Sequence, residues 1–73
     1  MDVMIERIEN LCKEKDVSKA KVGRDLDFSN TAFTNWKSRR QKPSLENIMK
    51  LARYFDVSID FLVGFTDNPE INK

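Results

Sequence analysis

Seventy-three residues make one domain, because a chain this short buries only about 60% of its unfolded surface and cannot divide its core. With 40% hydrophobic and 34% charged residues it is neither disordered nor membrane-embedded, and no apolar run approaches the roughly 20 residues that a bilayer span requires. A net charge of +1 excludes a uniformly basic surface, and one cysteine with no histidine excludes an internal disulfide, the familiar zinc spacings and the commonest general acid/base, so no metal, cofactor or enzyme activity is expected.

From Asp2 to Lys15 the apolar residues Met4, Ile5, Ile8, Leu11 and Cys12 recur three and four apart, the stripe of an amphipathic first helix. Asp2 and Glu6 stand where a secretory signal carries basic residues ahead of an apolar stretch, and a cytoplasmic location is the expectation. Cys12 has no second thiol or histidine to activate it and reads as a small, half-buried apolar residue. Ser18 occupies an N-cap position for a second helix, Lys19 to Leu26, with Val22 and Leu26 inward. Asp27 closes that helix where a left-handed backbone is usual, a conformation Asp tolerates better than most residues.

Ser29 predicts the cap of a third helix, about residues 29–37, with Ala32, Phe33 and Trp36 inward and Asn30, Thr31, Thr34 and Asn35 outward. A basic, glycine-free connection from Lys37 to Lys42 ends at Pro43, whose ring disfavours helix at Lys42. Ser44 caps a fourth helix that buries Leu45, Ile48, Leu51, Ala52 and Phe55. Val57 crosses the next loop, Ser58 caps a short fifth helix from Ile59 to Val63, and Gly64 ends it. Residues 66–73 are polar, contain Pro69 and read as a flexible tail or linker, which places the domain at residues 1–65. The fold class is all-α, a compact five-helix domain.

The small net charge is unevenly spread. Met1 to Asp16 and Pro43 to Lys73 each carry three basic and five acidic residues, whereas Val17 to Lys42 carries seven basic and two acidic. A basic centre between acidic flanks points to one side that faces phosphates. Two short helices joined by a tight turn, the second exposing small amides and hydroxyls, make the helix-turn-helix geometry that lays a helix into the major groove of duplex DNA, about 12 Å wide. Asn pairs bidentately with adenine, and Thr offers a hydroxyl and a methyl, so Asn30, Thr31, Thr34 and Asn35 are the base-contacting candidates. Ser18, Lys19, Lys37, Ser38, Arg39, Arg40 and Lys42 cluster at the ends of helices two and three and are the phosphate-contacting candidates, aided by the backbone amides at the start of helix two. Each of these alone reads equally well as a solvated side chain; the cluster carries the argument. Phe28, Phe33, Trp36 and Phe55 sit on inward positions and belong to the core. Ile59, Phe61 and Phe65, at the last helix, are the candidate self-association surface, with core burial an equal alternative for Phe65.

The stretch VSKAKVGRDLDFSNTAFTNW, the following KPSLENIMKLARYFDVSIDFLVG and the basic loop 37–42 that joins them resemble the lambda-type (Cro/cI, XRE-like) helix-turn-helix domain of phage repressors and bacterial regulators, over nearly the whole chain. The resemblance implies a lambda-repressor-like fold in which helices two and three form the helix-turn-helix. It also implies that Lys19 reaches phosphate or a base edge, that Asn30, Thr31 and Asn35 read bases with Thr34 secondary, and that residues 37–42 hold the DNA backbone. The chain departs from the family pattern, which usually has Gln at Lys19, Ala at Gly23 and Gly at Asp27, and often has Glu-Asn-Gly at Lys37, Ser38 and Arg39. Some members pair that Glu with an Arg on helix one, where this chain has Cys12, so the internal ion pair is expected to be missing. Gly23 costs helix two about 1 kcal/mol relative to Ala.

The expected function is sequence-specific binding of a double-stranded operator and transcriptional repression by excluding polymerase; an activator differs only in where its operator lies. A homodimer is expected on DNA, since two-fold half-sites about 34 Å apart double the contacts of one module. The alternative is a protein-interaction module that keeps the fold and binds a protein such as an anti-repressor or a toxin. Salt separates the two readings, because phosphate binding weakens steeply with ionic strength.

Overall fold

The computed structural model describes residues 3–70, which form α1 (Val3–Lys15), α2 (Lys19–Asp25), α3 (Ala32–Lys37), α4 (Leu45–Phe55) and α5 (Ile59–Val63), with no strand among the described residues. The apolar stripe of α1 is buried along its whole length, and Asp2 lies outside the described residues. α1 packs on α5 and α3, and α4 packs on α5. The centre of the core is Ile8, Val22, Leu51, Phe55 and Leu62, one or more from each of α1, α2, α4 and α5, and Trp36 of α3 closes it. Removing side chains of this size from water contributes about 1.5–3 kcal/mol each, so four short helices with little stability of their own are held by what they share. Cys12 is buried, further in than its half-buried expectation.

Three serines start helices in the same way. Ser18, Ser44 and Ser58 have extended backbones, and their Oγ atoms accept from the N–H groups of Lys21, Asn47 and Phe61 at 3.0, 3.2 and 3.0 Å. Ser29 does not join them. The third helix begins at Ala32, with Thr31 as its N-cap at φ −106, ψ 4 and no side-chain cap bond. Short polar side chains at Ser29, Asn30 and Thr31 favour local hydrogen bonds over helix, and the chain makes a turn first, the Ala32 N–H donating to the Ser29 carbonyl at 3.2 Å. Asn30 and Thr31 therefore stand in the turn ahead of α3, and the helix expected over residues 29–37 is shortened to its last six.

All five helices stop in one way. A residue with a left-handed backbone follows the last turn: Asp16, Asp27, Arg39, Asp56 and Gly64, with φ of 55, 61, 64, 56 and 94. The next N–H reaches five residues back in each case, from Val17 to Cys12, Phe28 to Gly23, Arg40 to Asn35, Val57 to Ala52 and Phe65 to Asp60, at 2.7 to 3.0 Å. This is the Schellman arrangement, which satisfies carbonyls that the helix leaves unpaired. Asp27 is left-handed as its position predicts, and Arg39 adopts the same conformation at a place where the family pattern has glycine.

One expectation needs correction. Leu45 is not buried but 66% exposed, because it is the first residue of α4 and the core contact of that helix begins a turn later, at Ile48. After Phe65 the chain makes several contacts with the helices. Arg7 lies with its guanidinium carbon 4.2 Å over the Phe61 ring, its Nη1 donates to the carbonyls of Phe61 and Thr66, and its Nη2 pairs with Asp67 at 2.9 Å. The Ser58 N–H donates to the Pro69 carbonyl at 2.9 Å. The rest of the expected tail, residues 71–73, lies outside the described residues.

Candidate nucleic-acid interface

The turn between α2 and α3 is braced by an aromatic triangle. Phe28, Phe33 and Trp36 meet edge to face, with centroids 5.2 to 6.0 Å apart, a preferred aromatic geometry. Trp36 is buried, whereas Phe28 and Phe33 are half-buried and form the floor of a groove between α2 and α3. The rim carries Lys19, Arg24 and Lys37 together with Ser29, Asn30, Thr34 and Ser38. Thus three cations and four small polar side chains converge on one concave face. Gly23 is buried in the same wall.

The four base-contacting candidates divide. Asn30 and Thr34 are exposed and line the groove, and Thr31 is exposed in the turn beside them. Asn35 is half-buried and does not line the groove, its Nδ2 donating to Thr31 Oγ1 at 3.3 Å and Gln41 Oε1 at 3.4 Å. Its carbonyl accepts from the Arg40 and Gln41 N–H groups and from the Ser38 hydroxyl. Asn35 thereby organises the loop that follows α3. Gln41, which composition alone does not distinguish, is the partner that makes this so.

Of the phosphate-contacting candidates, Arg39, Arg40 and Lys42 are exposed in the loop and make no ion pair among the described residues, Ser38 is exposed at the end of α3, and Ser18 spends its Oγ on the α2 cap. Lys19 and Lys37 are committed elsewhere. Glu9 of α1 pairs with Lys37 Nζ through Oε1 at 3.6 Å and with Lys19 Nζ through Oε2 at 3.9 Å. The ion pair between positions 37 and 12 is missing, as expected, and a different one links the same two helices: Lys37 of α3 pairs with the Glu9 carboxylate of α1, one turn before Cys12. That spacing was the available signal, because positions three apart share a helix face.

Asp25 links α2 to α4, accepting from Tyr54 Oη at 2.7 Å and pairing with Lys21 Nζ at 3.1 Å. The Tyr54 hydroxyl, and then Lys21, hold the Asp25 carboxyl below its ordinary range, and the same bond pushes Tyr54 up. Burial raises the Cys12 thiol, against an opposing pull from Lys19, which leaves it a poor nucleophile. At the far end of the molecule Phe65 is 85% and Ile59 37% exposed. Phe61, proposed with them for self-association, is instead half-buried beneath Arg7.

Among the described residues no helix is long and apolar enough to cross a membrane, and no group of three or more His, Cys, Asp or Glu is placed to hold a metal. The chain is 26% identical over 65 residues to YobD, an uncharacterized HTH-type transcriptional regulator of Bacillus subtilis, covering 89% of this chain and 58% of that protein. It is 30% identical over 59 residues to RstR, the cryptic phage CTXphi transcriptional repressor of Vibrio cholerae, covering 81% and 53%, and 28% identical over 59 residues to BcrR, an HTH-type transcriptional activator of Enterococcus faecalis, covering 81% and 29%. The chain thus spans little more than half the length of two of these relatives and under a third of the other. No solved structure gives a significant match. The family model of the Cro/C1-type HTH DNA-binding domain matches residues 7–68, from Arg7 to Asn68 and across all of α2, α3 and the groove between them, and the chain belongs to that helix-turn-helix DNA-binding family.

Proposed function

We propose that the domain binds double-stranded operator DNA sequence-specifically, with α3 and the turn before it in the major groove, and acts as a transcriptional repressor. The observation that carries this reading is the convergence of Lys19, Arg24 and Lys37 with Asn30 and Thr34 on the rim of one groove: cations for the backbone, and an amide and a hydroxyl for base edges. α3, at six residues, is about 9 Å long and presents one turn of side chains to the bases. Arg39, Arg40 and Lys42, which make no ion pair among the described residues, follow it and hold the phosphates alongside. A repressor needs only to occupy its site, and one relative is named a phage repressor; the relative named an activator shares a smaller part of its length. The domain binds as a homodimer on two half-sites, with Phe65 and Ile59 as the self-association residues.

The test is selection of bound sites from random duplex DNA, followed by titration at two salt concentrations for wild type and Asn30→Ala/Thr34→Ala. The reading expects an enriched palindrome that the variant no longer distinguishes, and an affinity that falls steeply with salt. Binding indifferent to salt, or no binding, overturns it and moves the search to protein partners of the same face, such as an anti-repressor or a toxin.

A further inference from the structure

Glu9 of α1 stands behind the cationic rim, outside the groove lining, and engages two of the rim's three cations at once. Its two oxygens face different ammoniums, Lys37 at 3.6 Å and Lys19 at 3.9 Å. Both distances exceed the 2.7–3.2 Å of an N–H···O hydrogen bond, so these are ion pairs without the directional bond that would lock them. Lys37 remains 65% exposed, and Glu9 is 35% exposed, which keeps the pairs in contact with solvent and open to exchange. A carboxylate and a phosphate offer the same thing to an ammonium, an anionic oxygen.

We propose that Glu9 is a built-in competitor for the DNA backbone: in the free domain it holds Lys19 and Lys37, and on binding both lysines leave it for phosphates. This inference rests on the DNA-binding reading above and adds a residue that sets its strength. Glu9 lowers the affinity for every duplex alike, because the lysines it holds read no sequence. Base contacts from Asn30 and Thr34 are then left to decide where the domain stays. The exchange has a salt signature as well. Salt screens the internal pairs as it screens the phosphate contacts, so the cost of breaking them is greatest when salt is low.

The experiment is a fluorescence-anisotropy titration of a duplex of arbitrary sequence at about 50 and about 200 mM salt, with wild type, Glu9→Gln, Lys19→Ala/Lys37→Ala and the triple variant. Glu9→Gln keeps the shape of the side chain, and a thermal melt of each protein checks that it is folded. Glu9→Gln is expected to bind about three- to tenfold more tightly at the lower salt, and less than that at the higher. The gain should vanish when both lysines are absent. An unchanged or weakened affinity for Glu9→Gln overturns the proposal, and so does a gain that survives without the lysines, since that would be simple repulsion of DNA by a negative charge. If wild type shows no salt-dependent duplex binding at all, the DNA-binding reading fails and the competitor falls with it. If wild type binds and only Glu9→Gln is silent, the competitor fails alone.

Discussion

Replacing Gly23 with alanine should make the domain more stable, although the residue is buried in the wall of the groove. Glycine in a helix interior costs about 0.8–1.0 kcal/mol relative to alanine, through the backbone freedom lost on folding. The gain is realised only if the added methyl fits. A Cβ at Gly23 would lie 3.7 Å from Phe33 Cε2 and 3.9 Å from Phe28 Cβ, which is ordinary van der Waals contact, and Gly23 is not among the residues of positive φ. The methyl therefore fills space against the aromatic triangle without displacing it, and the net effect is about 1 kcal/mol of stabilisation. For a domain of this size that corresponds to a rise in Tm of roughly 4–8 °C, readable by circular dichroism on heating and as a higher urea midpoint at unchanged m value. An unchanged or lower Tm would refute the reasoning, because it would mean that α2 needs more room at Gly23 than Phe28 and Phe33 leave it.

Gly64→Ala should do the opposite and destabilise the domain by about 1–3 kcal/mol, since φ is 94 there and the new Cβ would stand 3.0 Å from Val3 Cγ1; the same melt reads it. Arg39→Gly relieves a left-handed backbone at φ 64 and should raise stability by about 0.5–1 kcal/mol, while a duplex titration shows a log–log salt slope shallower by about one. Tyr54→Phe removes the largest cause of the lowered Asp25 carboxyl. A carboxyl with a lowered folded value contributes stability above its ordinary pKa of 3.8 and loses it as pH falls through the folded value. Wild type should therefore lose more stability than Tyr54→Phe below pH about 4, measured as the urea midpoint against pH. At the alkaline end the raised Tyr54 contribution is complete below 10.0 and declines as pH climbs through the higher folded value, a limb that Tyr54→Phe should lack.

The five helices were legible because their signals are local. Ser18, Ser44 and Ser58 each precede a period of apolar residues and each caps a helix. Ser29 carries the same signal and fails, because the Asn30 and Thr31 that follow it turn the chain before the helix can start. Leu45 has the right period and the wrong depth, since period fixes a face and says nothing of how far the core extends along it. In the groove, composition and spacing located Lys19, Asn30, Thr34 and Lys37. What they could not supply was who answers whom across the chain. Arg7 meets Phe61, Thr66 and Asp67 more than fifty positions away, and Glu9 meets Lys37 only because α1 lies on α3. Contacts of that range leave no periodicity to read.

The left-handed residue at Asp27 has a further consequence. The direction in which the chain leaves α2, and hence the orientation of α3 beside it, is decided by the handedness of one peptide unit whose own side chain is absent from the groove rim. The residues that would meet DNA, Asn30 and Thr34, take no part in that decision. Shape and vocabulary are thus written at different positions, so substitutions can give this surface a new set of bases to recognise while the angle at which it is presented stays as it was.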